Sequence, residues 1–271
     1  MTDSSPQSVV PVAARRERIA ALVAEEGFVR VGDASEVFAV SEVTVRSDLR
    51  ALEQAGAVRR VHGGAMAVAG AGRESPVEAT TETHAAVKRA IGRRAAALVT
   101  SGSSILLDVG STTLAVARAI VARTELVDLV VITNGLSIAL ALEPAIPRIT
   151  VVVTGGTLRP LQHSLVNPLA GQTLAGLHVD LAILGCNGVD ADGRVTNLNL
   201  AEAEVKRGML AASETRMLVA DASKSGQRHL GLIGELGDFA TLVTGGAGAE
   251  SLRAPAHDAG CRLVIADAAL G

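Results

Sequence analysis

The stretch Val40-Ser41-Glu42-Val43-Thr44-Val45-Arg46-Ser47-Asp48-Leu49-Arg50-Ala51-Leu52-Glu53 decides how the first quarter of the chain folds. Ser41 is a good helix N-cap, because its hydroxyl can accept an amide proton of the first turn, and Gly56 closes the run after Ala55 as a C-cap. Val45, Leu49 and Leu52 stand at i, i+4 and i+7 and form an inward face, with Arg46 and Arg50 one turn apart on the other side. Upstream, Ile19, Leu22 and Val23 mark a helix that Gly27 stops, followed by an extended Phe28–Val31 and a second helix over Asp33–Phe38. Downstream, Ala57–Val61 reads as a strand, His62-Gly63-Gly64 as a turn and Ala65–Val68 as a returning strand. Three helices and a hairpin predict a winged helix-turn-helix over residues 13–68, behind a disordered polar tail over 1–12.

In such a motif the second of the paired helices enters the major groove and offers its N-terminal residues to base edges. Those residues are Ser41, Glu42, Thr44, Val45 and Arg46. A bidentate contact from Arg46 to guanine is worth about 1–3 kcal/mol of discrimination, while Arg50, Arg59 and Arg60 are placed to meet phosphates. His62 shapes the wing turn. The alternative is a solvated helix face whose arginines pair locally with Glu42, Asp48 and Glu53.

From Ala69 to Thr83 the composition is that of a linker. Beyond it a helix is expected from His84 to Val99. Apolar β-rich runs then alternate with helical ones: Ile105–Val109, Leu129–Thr133, Ile149–Thr154, Leu181–Leu184, Met217–Ala220 and Thr241–Thr244. This alternation predicts an α/β domain over 84–271 with a mostly parallel sheet. Ligands of such sheets collect beyond the carboxyl ends of the strands. Polar loops fall there in series: Asp108 through Thr113, Thr133-Asn134-Gly135, Thr154-Gly155-Gly156, Gly185-Cys186-Asn187-Gly188 and Asp221-Ala222-Ser223-Lys224. The first opens a helix, so its backbone N–H groups and hydroxyls are suited to cradle an anion.

Composition narrows the function. The 271 residues are 48% apolar but only 1% aromatic, with no Trp or Tyr, so neither a base-stacking platform nor an aromatic cage for a cation is available. The net charge of −3 excludes a globally basic nucleic-acid coat. Residues 1–68 carry 8 Arg against 9 acids, so DNA affinity must rest on a few placed charges. Two cysteines, Cys186 and Cys261, are too few and too far apart for a disulfide framework or a metal site, and neither a metal nor a cofactor is expected. With no signal peptide and no apolar run of membrane length, a cytoplasmic protein without membrane association is expected.

The segments Val40 to Leu49, Leu52-Glu53-x-x-Gly56 and Arg60-Val61-His62-Gly63-Gly64-Ala65 together resemble the DeoR family of bacterial transcription regulators. The resemblance implies a winged helix-turn-helix that reads a double-stranded operator, as a repressor of a sugar or polyol catabolic operon. One departure is Ser47, where the family commonly carries a second arginine, which removes one phosphate contact. The likeness continues from His84 to Thr244 through Asp180–Gly185, Gly188-Val189-Asp190, Glu204-x-Lys206-Arg207 and Asp221-x-Ser223-Lys224. It implies a sensor domain similar in fold to ribose-5-phosphate isomerase, with a phosphorylated sugar or related metabolite as effector. By position, Gly110, Ser111, Thr112 and Thr113 would hold the phosphate and Lys224 would add a charge. Asn134, Gly155 and Gly156 would line the pocket, and Asp108, Glu204 and Lys206 would orient hydroxyls. An ordinary surface helix turn is the other reading of Glu204 and Lys206. Asn167, Ser225 and Gly245 also depart from the family pattern, which bears on effector identity.

Because helix-turn-helix proteins present two recognition helices about one DNA turn apart, a homo-oligomer, dimer or higher, is expected. A rival class is a sugar-phosphate isomerase fused to a DNA-binding module, with Asp190 or Glu204 as base and Lys224 as electrophile. It lacks a compact acid/base motif beside the phosphate loop. A third is a sensor domain that only oligomerises.

Overall fold

A computed structural model describes residues 12–26, 28–54, 58–61, 63–67 and 76–266. The chain splits into two compact units, Met1–Arg73 and Glu74–Gly271. The predicted stops at Gly27 and Gly56, the wing residue His62, Val68, the Arg59 side chain, the tail to residue 11 and linker residues 69–75 lie outside the described residues.

The first unit contains α1 (Val12–Glu26), β1 (Phe28–Arg30), α2 (Val31–Phe38), α3 (Glu42–Gln54), β2 (Val58–Val61) and β3 (Gly64–Ala67). The expected extended piece becomes a third strand of the wing: the order is β1-β3-β2, antiparallel throughout. β1 approaches β3 so closely that a Cβ on Gly64 would lie 2.2 Å from the Val29 carbonyl oxygen, so only glycine fits there. The core comprises Ile19, Val23, Val29, Val31, Ala34, Val45, Leu49, Leu52, Val58 and Ala65. Buried Asp48 fastens α3 to α1 by accepting from Arg15 Nε at 2.7 Å and Arg16 Nε at 2.8 Å. Burial pushes its carboxyl up, but the two guanidinium groups outweigh that and hold it below the ordinary value.

The second unit opens with α4 (Val77–Glu82), a helix where composition predicts linker. Val77 is buried, and the Thr80 and Thr81 hydroxyls donate back to its carbonyl. Then come α5 (Ala85–Ala96), β4 (Ser104–Leu107), α6 (Ser111–Ala122), β5 (Leu129–Thr133), α7 (Leu136–Leu142) and β6 (Ile149–Val153). A hairpin of β7 (Thr157–Arg159) and β8 (Ser164–Val166) leads to α8 (Pro168–Ala175), β9 (Val179–Gly185), β10 (Gly188–Val189), β11 (Arg194–Asn197), α9 (Leu200–Ala211) and β12 (Ser213–Asp221). The unit ends with β13 (Gly231–Glu235), β14 (Thr241–Gly245), α10 (Arg253–Asp258) and β15 (Arg262–Ala266). Seven strands form one sheet in the order β15-β14-β12-β9-β4-β5-β6, every pair parallel. The six predicted runs are all in it; β15 is the strand that sequence reading left out.

Both faces of this sheet are buried, as a parallel sheet requires. Side chains alternate between two cores: Ile105 and Leu107 of β4 face one with α5, α6 and α7, and Leu106 faces the other with α8, α9 and α10. Val219 and Leu218 of β12 divide in the same way. Apart from Phe239, both cores are built from aliphatic residues, Met and Cys261, as the scarcity of aromatics predicts. From β4 the chain runs outward to β5 and β6, then returns across β4 to place β9 on its other side. The carboxyl ends of β4 and β9 therefore form a topological switch point, the place where ligands of such sheets collect. The small antiparallel sheet β10-β11-β13 follows directly on the carboxyl end of β9.

Candidate DNA interface and effector crevice

α3 presents two unlike faces. Val45 is fully buried among the core residues, so the expectation that it touches bases is corrected: the inward periodicity, which places Val45 with Leu49 and Leu52, prevails. Ser41 is spent as the N-cap, its hydroxyl accepting from the Thr44 amide at 3.2 Å. Glu42, Val43, Arg46, Ser47 and Arg50 are exposed. Arg46 donates to Glu42 Oε2 at 2.7 Å, one helical turn away, which orients the guanidinium without burying it. A groove between α3 and the wing is lined by Arg46, Arg50, Glu53, Arg60, Gly63 and Gly64, among others. Glu53 accepts from the Arg60 backbone amide at 3.0 Å and holds that part of the wing against α3.

The second site is built at the carboxyl edge of the large sheet. Asp108, just beyond β4, is fully buried. Its Oδ2 accepts from the Gly185 amide at 3.0 Å and from Lys206 Nζ, which also donates to the Gly185 carbonyl at 3.1 Å. Burial pushes the Asp108 carboxyl up, and the lysine opposes that. The pair joins β4, β9 and α9 at the switch point. Asn134, beyond β5, accepts from the Val109 amide at 3.0 Å and so props the loop into α6. In that loop Gly110 has φ +137°, and the Thr113 hydroxyl donates to the Gly110 carbonyl at 2.9 Å. The amides of Ser111, Thr112 and Thr113 begin α6, at the positive end of its dipole.

At the end of β12, Asp221 accepts from the Ser223 amide at 3.0 Å. Burial raises its pKa, but the Lys224 charge, the Ser223 bond and Lys88 outweigh that, so it stays below the ordinary value and is charged. Lys88 on α5 is itself buried and pushed down to about 8, mainly by burial; its ammonium donates to the Thr80 carbonyl near the end of α4. Lys206, Lys224, Asp221 and Asp108 all act electrostatically on Cys186, whose thiol burial pushes up to about 12, so it stays neutral.

Glu204 is the second correction. It is exposed on α9, beside Asn167, Pro168, Gly171 and Gln172. The helical period instead places Glu202 on the face that carries Lys206. Glu202 is buried and pairs with Arg159 of β7, the Ser164 hydroxyl and the Asn197 amide. Sequence reading missed Glu202, Arg159 and Lys88. A signal existed for two of them: Glu202 is four residues before Lys206, and Lys88 interrupts the apolar face of its helix. Gly156 has a packing role, since a Cβ there would lie 2.6 Å from the Val166 carbonyl oxygen; Gly155, at φ +74°, has open space around it.

The isomerase candidates are not assembled as a catalytic set. Asp190 Oδ1 accepts from the amides of Asp192 and Arg194 and builds the turn between β10 and β11, while Glu204 lies on the far side of α9 from Lys206. Among the described residues no cluster of His, Cys, Asp and Glu is suited to hold a metal ion. Within them, no helix is long and apolar enough to cross a membrane.

A winged helix-turn-helix followed by a parallel α/β domain with polar loops gathered at its carboxyl edge defines a DNA-binding regulator with a sensor domain. Residues 15–69 match the DeoR-like helix-turn-helix domain and residues 83–246 the DeoR C terminal sensor domain, and the chain belongs to this family of transcriptional regulators. It is 34% identical to the putative aga operon transcriptional repressor of Escherichia coli O157:H7, over 84% of this chain and 85% of that one. It is 30% identical to the glycerol-3-phosphate regulon repressor of Haemophilus influenzae, over 85% and 88%. Among solved structures it is similar to ribose 5-phosphate isomerase A from Methanocaldococcus jannaschii, at a TM-score of 0.37 and 20% identity over 51% of this chain and 53% of that one.

Proposed function

We propose that the chain is a cytoplasmic repressor of a sugar or polyol catabolic operon, that residues 13–68 bind the operator as part of a homo-oligomer, and that a phosphorylated sugar or related metabolite in the crevice of residues 84–271 controls that binding. The reading rests on one observation above all. Among the described residues five buried side-chain polar atoms have no hydrogen-bond partner; four of them, Asp108 Oδ1, Asn134 Nδ2, Asp221 Oδ2 and Thr244 Oγ1, stand at carboxyl ends of strands in one sheet, and the fifth, Asp190 Oδ2, lies just beyond β10. Burying a polar group without a partner costs about 1–3 kcal/mol, so four at one edge point to a polar ligand there.

Charge selects the ligand class. Lys206 pairs with Asp108, Arg159 pairs with Glu202, and Lys88 and Lys224 both act on Asp221, so cations are gathered on the edge that also carries the amides beginning α6. Gly110, Ser111, Thr112 and Thr113 receive the phosphate, with Lys224 as counter-charge. Asn134, Gly155 and Gly156 line the adjoining wall, and Asp108 and Lys206 orient hydroxyls, with Glu202 taking the place expected for Glu204. The relatives' names, a regulon repressor for glycerol 3-phosphate among them, support a phosphorylated polyol or sugar. The relatives named for regulation support a domain that senses its ligand without converting it.

Calorimetric titration with glycerol 3-phosphate, ribose 5-phosphate and hexose 6-phosphates, each beside its unphosphorylated parent, tests the reading. At least one phosphorylated member is expected to bind, with its parent at least tenfold weaker and Lys224→Ala weakened by a similar factor. Binding of the parents alone, or turnover of any member, would overturn it.

A further inference from the structure

The exposed face of α3 carries a side chain that stability does not explain. Val43 stands in the first turn of the helix and is 74% exposed, between Glu42 and Thr44 and one turn before Arg46 and Ser47. Its neighbours on that face, Glu42, Arg46, Ser47 and Arg50, are all polar or charged. A β-branched residue at an exposed helix position loses side-chain freedom against the preceding turn and gains no burial. The first turn is also where a recognition helix meets base edges. In the major groove the one apolar feature of a base edge is the C5-methyl group of thymine.

We propose that Val43 reads a base: its isopropyl group packs on a thymine methyl, and with Arg46 it recognises a thymine one or two base steps from a guanine in each half-site. The spacing follows from the helix. Three residues rise about 4.5 Å, against about 3.4 Å between successive bases on a strand. Glu42, bonded to Arg46 at 2.7 Å, holds the guanidinium to one side and leaves the valine methyl groups uncovered. The pairing of an apolar with a cationic reader deepens the reading of α3 as the groove-entering helix and rests on it.

The test uses the full chain and a duplex recovered with it from a randomised duplex library. Each thymine of that duplex is replaced singly by deoxyuridine, which removes only the methyl group, and binding is followed by fluorescence anisotropy. Wild type is expected to lose about fourfold in affinity at one position per half-site, the effect of about one buried methylene-sized group. Val43→Ala should bind the thymine and deoxyuridine duplexes equally, with its salt dependence unchanged, and Val43→Ile should keep the preference. If no deoxyuridine position weakens the wild type, or if Val43→Ala keeps the same sensitivity, Val43 is not a reader. Arg46→Ala, measured in parallel, separates the two levels. If it leaves selectivity for the recovered duplex intact, or if the library yields no enriched sequence, the groove-entering role of α3 fails and the proposal with it.

Discussion

Asp108 and Lys206 are 98 residues apart in sequence and in direct contact at the switch point of the sheet. Each is nearly or wholly buried, so each depends on the other: removing one partner of a buried pair leaves an uncompensated charge and costs about 3–5 kcal/mol. Lys206→Met is therefore expected to destabilise the sensor domain by about that amount in urea denaturation at pH 7, and Asp108→Asn combined with Lys206→Met to restore most of it. A single variant within about 1 kcal/mol of the parent would show that the pair does not hold the edge together. Sequence reading singled out both residues but as separate hydroxyl-orienting groups, because residues far apart in the chain carry no mark of facing each other. Val45 and Glu204 fail for a more tractable reason. Helical phase alone puts Val45 with Leu49 and Leu52, and puts Glu202 rather than Glu204 beside Lys206.

At the scale of elements, the crossing of α5 and α6 is fixed by Gly92. A Cβ there would lie 2.5 Å from the Ala115 carbonyl carbon and oxygen, both rigid backbone atoms. Gly92→Ala should thus force the helices apart and lower stability by about 1–3 kcal/mol, the range for overpacking. The same shift moves the start of α6, so phosphate binding should weaken with it; thermal melts with and without ribose 5-phosphate measure both effects. An unchanged melt would mean that the helices can separate freely at this point. Elements with a clear period, such as α3 or the runs Ile105–Val109 and Leu129–Thr133, were legible within a residue or two. Those without one were not. β10 has only Gly188 and Val189 and exists by pairing with β11. α4 lies in a Thr- and Glu-rich segment and is held by backbone-directed hydroxyls, one buried valine and the Leu161 carbonyl, which accepts from the Val77 amide. β15 forms by parallel pairing with β14.

For the whole molecule, the two-part organisation was legible because a helix-turn-helix pattern and a strand–helix alternation differ in period and are separated by a stretch with neither. The overall charge of −3 is misleading for a DNA binder. What counts is that Arg46, Arg50 and Arg60 project from α3 and the wing, while Arg15 and Arg16 are spent on Asp48. Arginines in the same domain thus divide between the buried Asp48 and the exposed surface of α3 and the wing, which composition cannot show. How the sensor acts on the DNA-binding unit is a matter of differential affinity: a metabolite shifts operator binding only if it binds one state of the assembly better than the other. The most direct measurement is an anisotropy titration of the full chain on a labelled duplex from the region upstream of its own gene, with and without the phosphorylated sugar that binds most tightly. That ligand is predicted to change operator affinity by about 5–150-fold, and Lys224→Ala to require correspondingly more of it. Operator binding that is specific but indifferent to every phosphorylated sugar that binds the sensor domain would contradict the coupling.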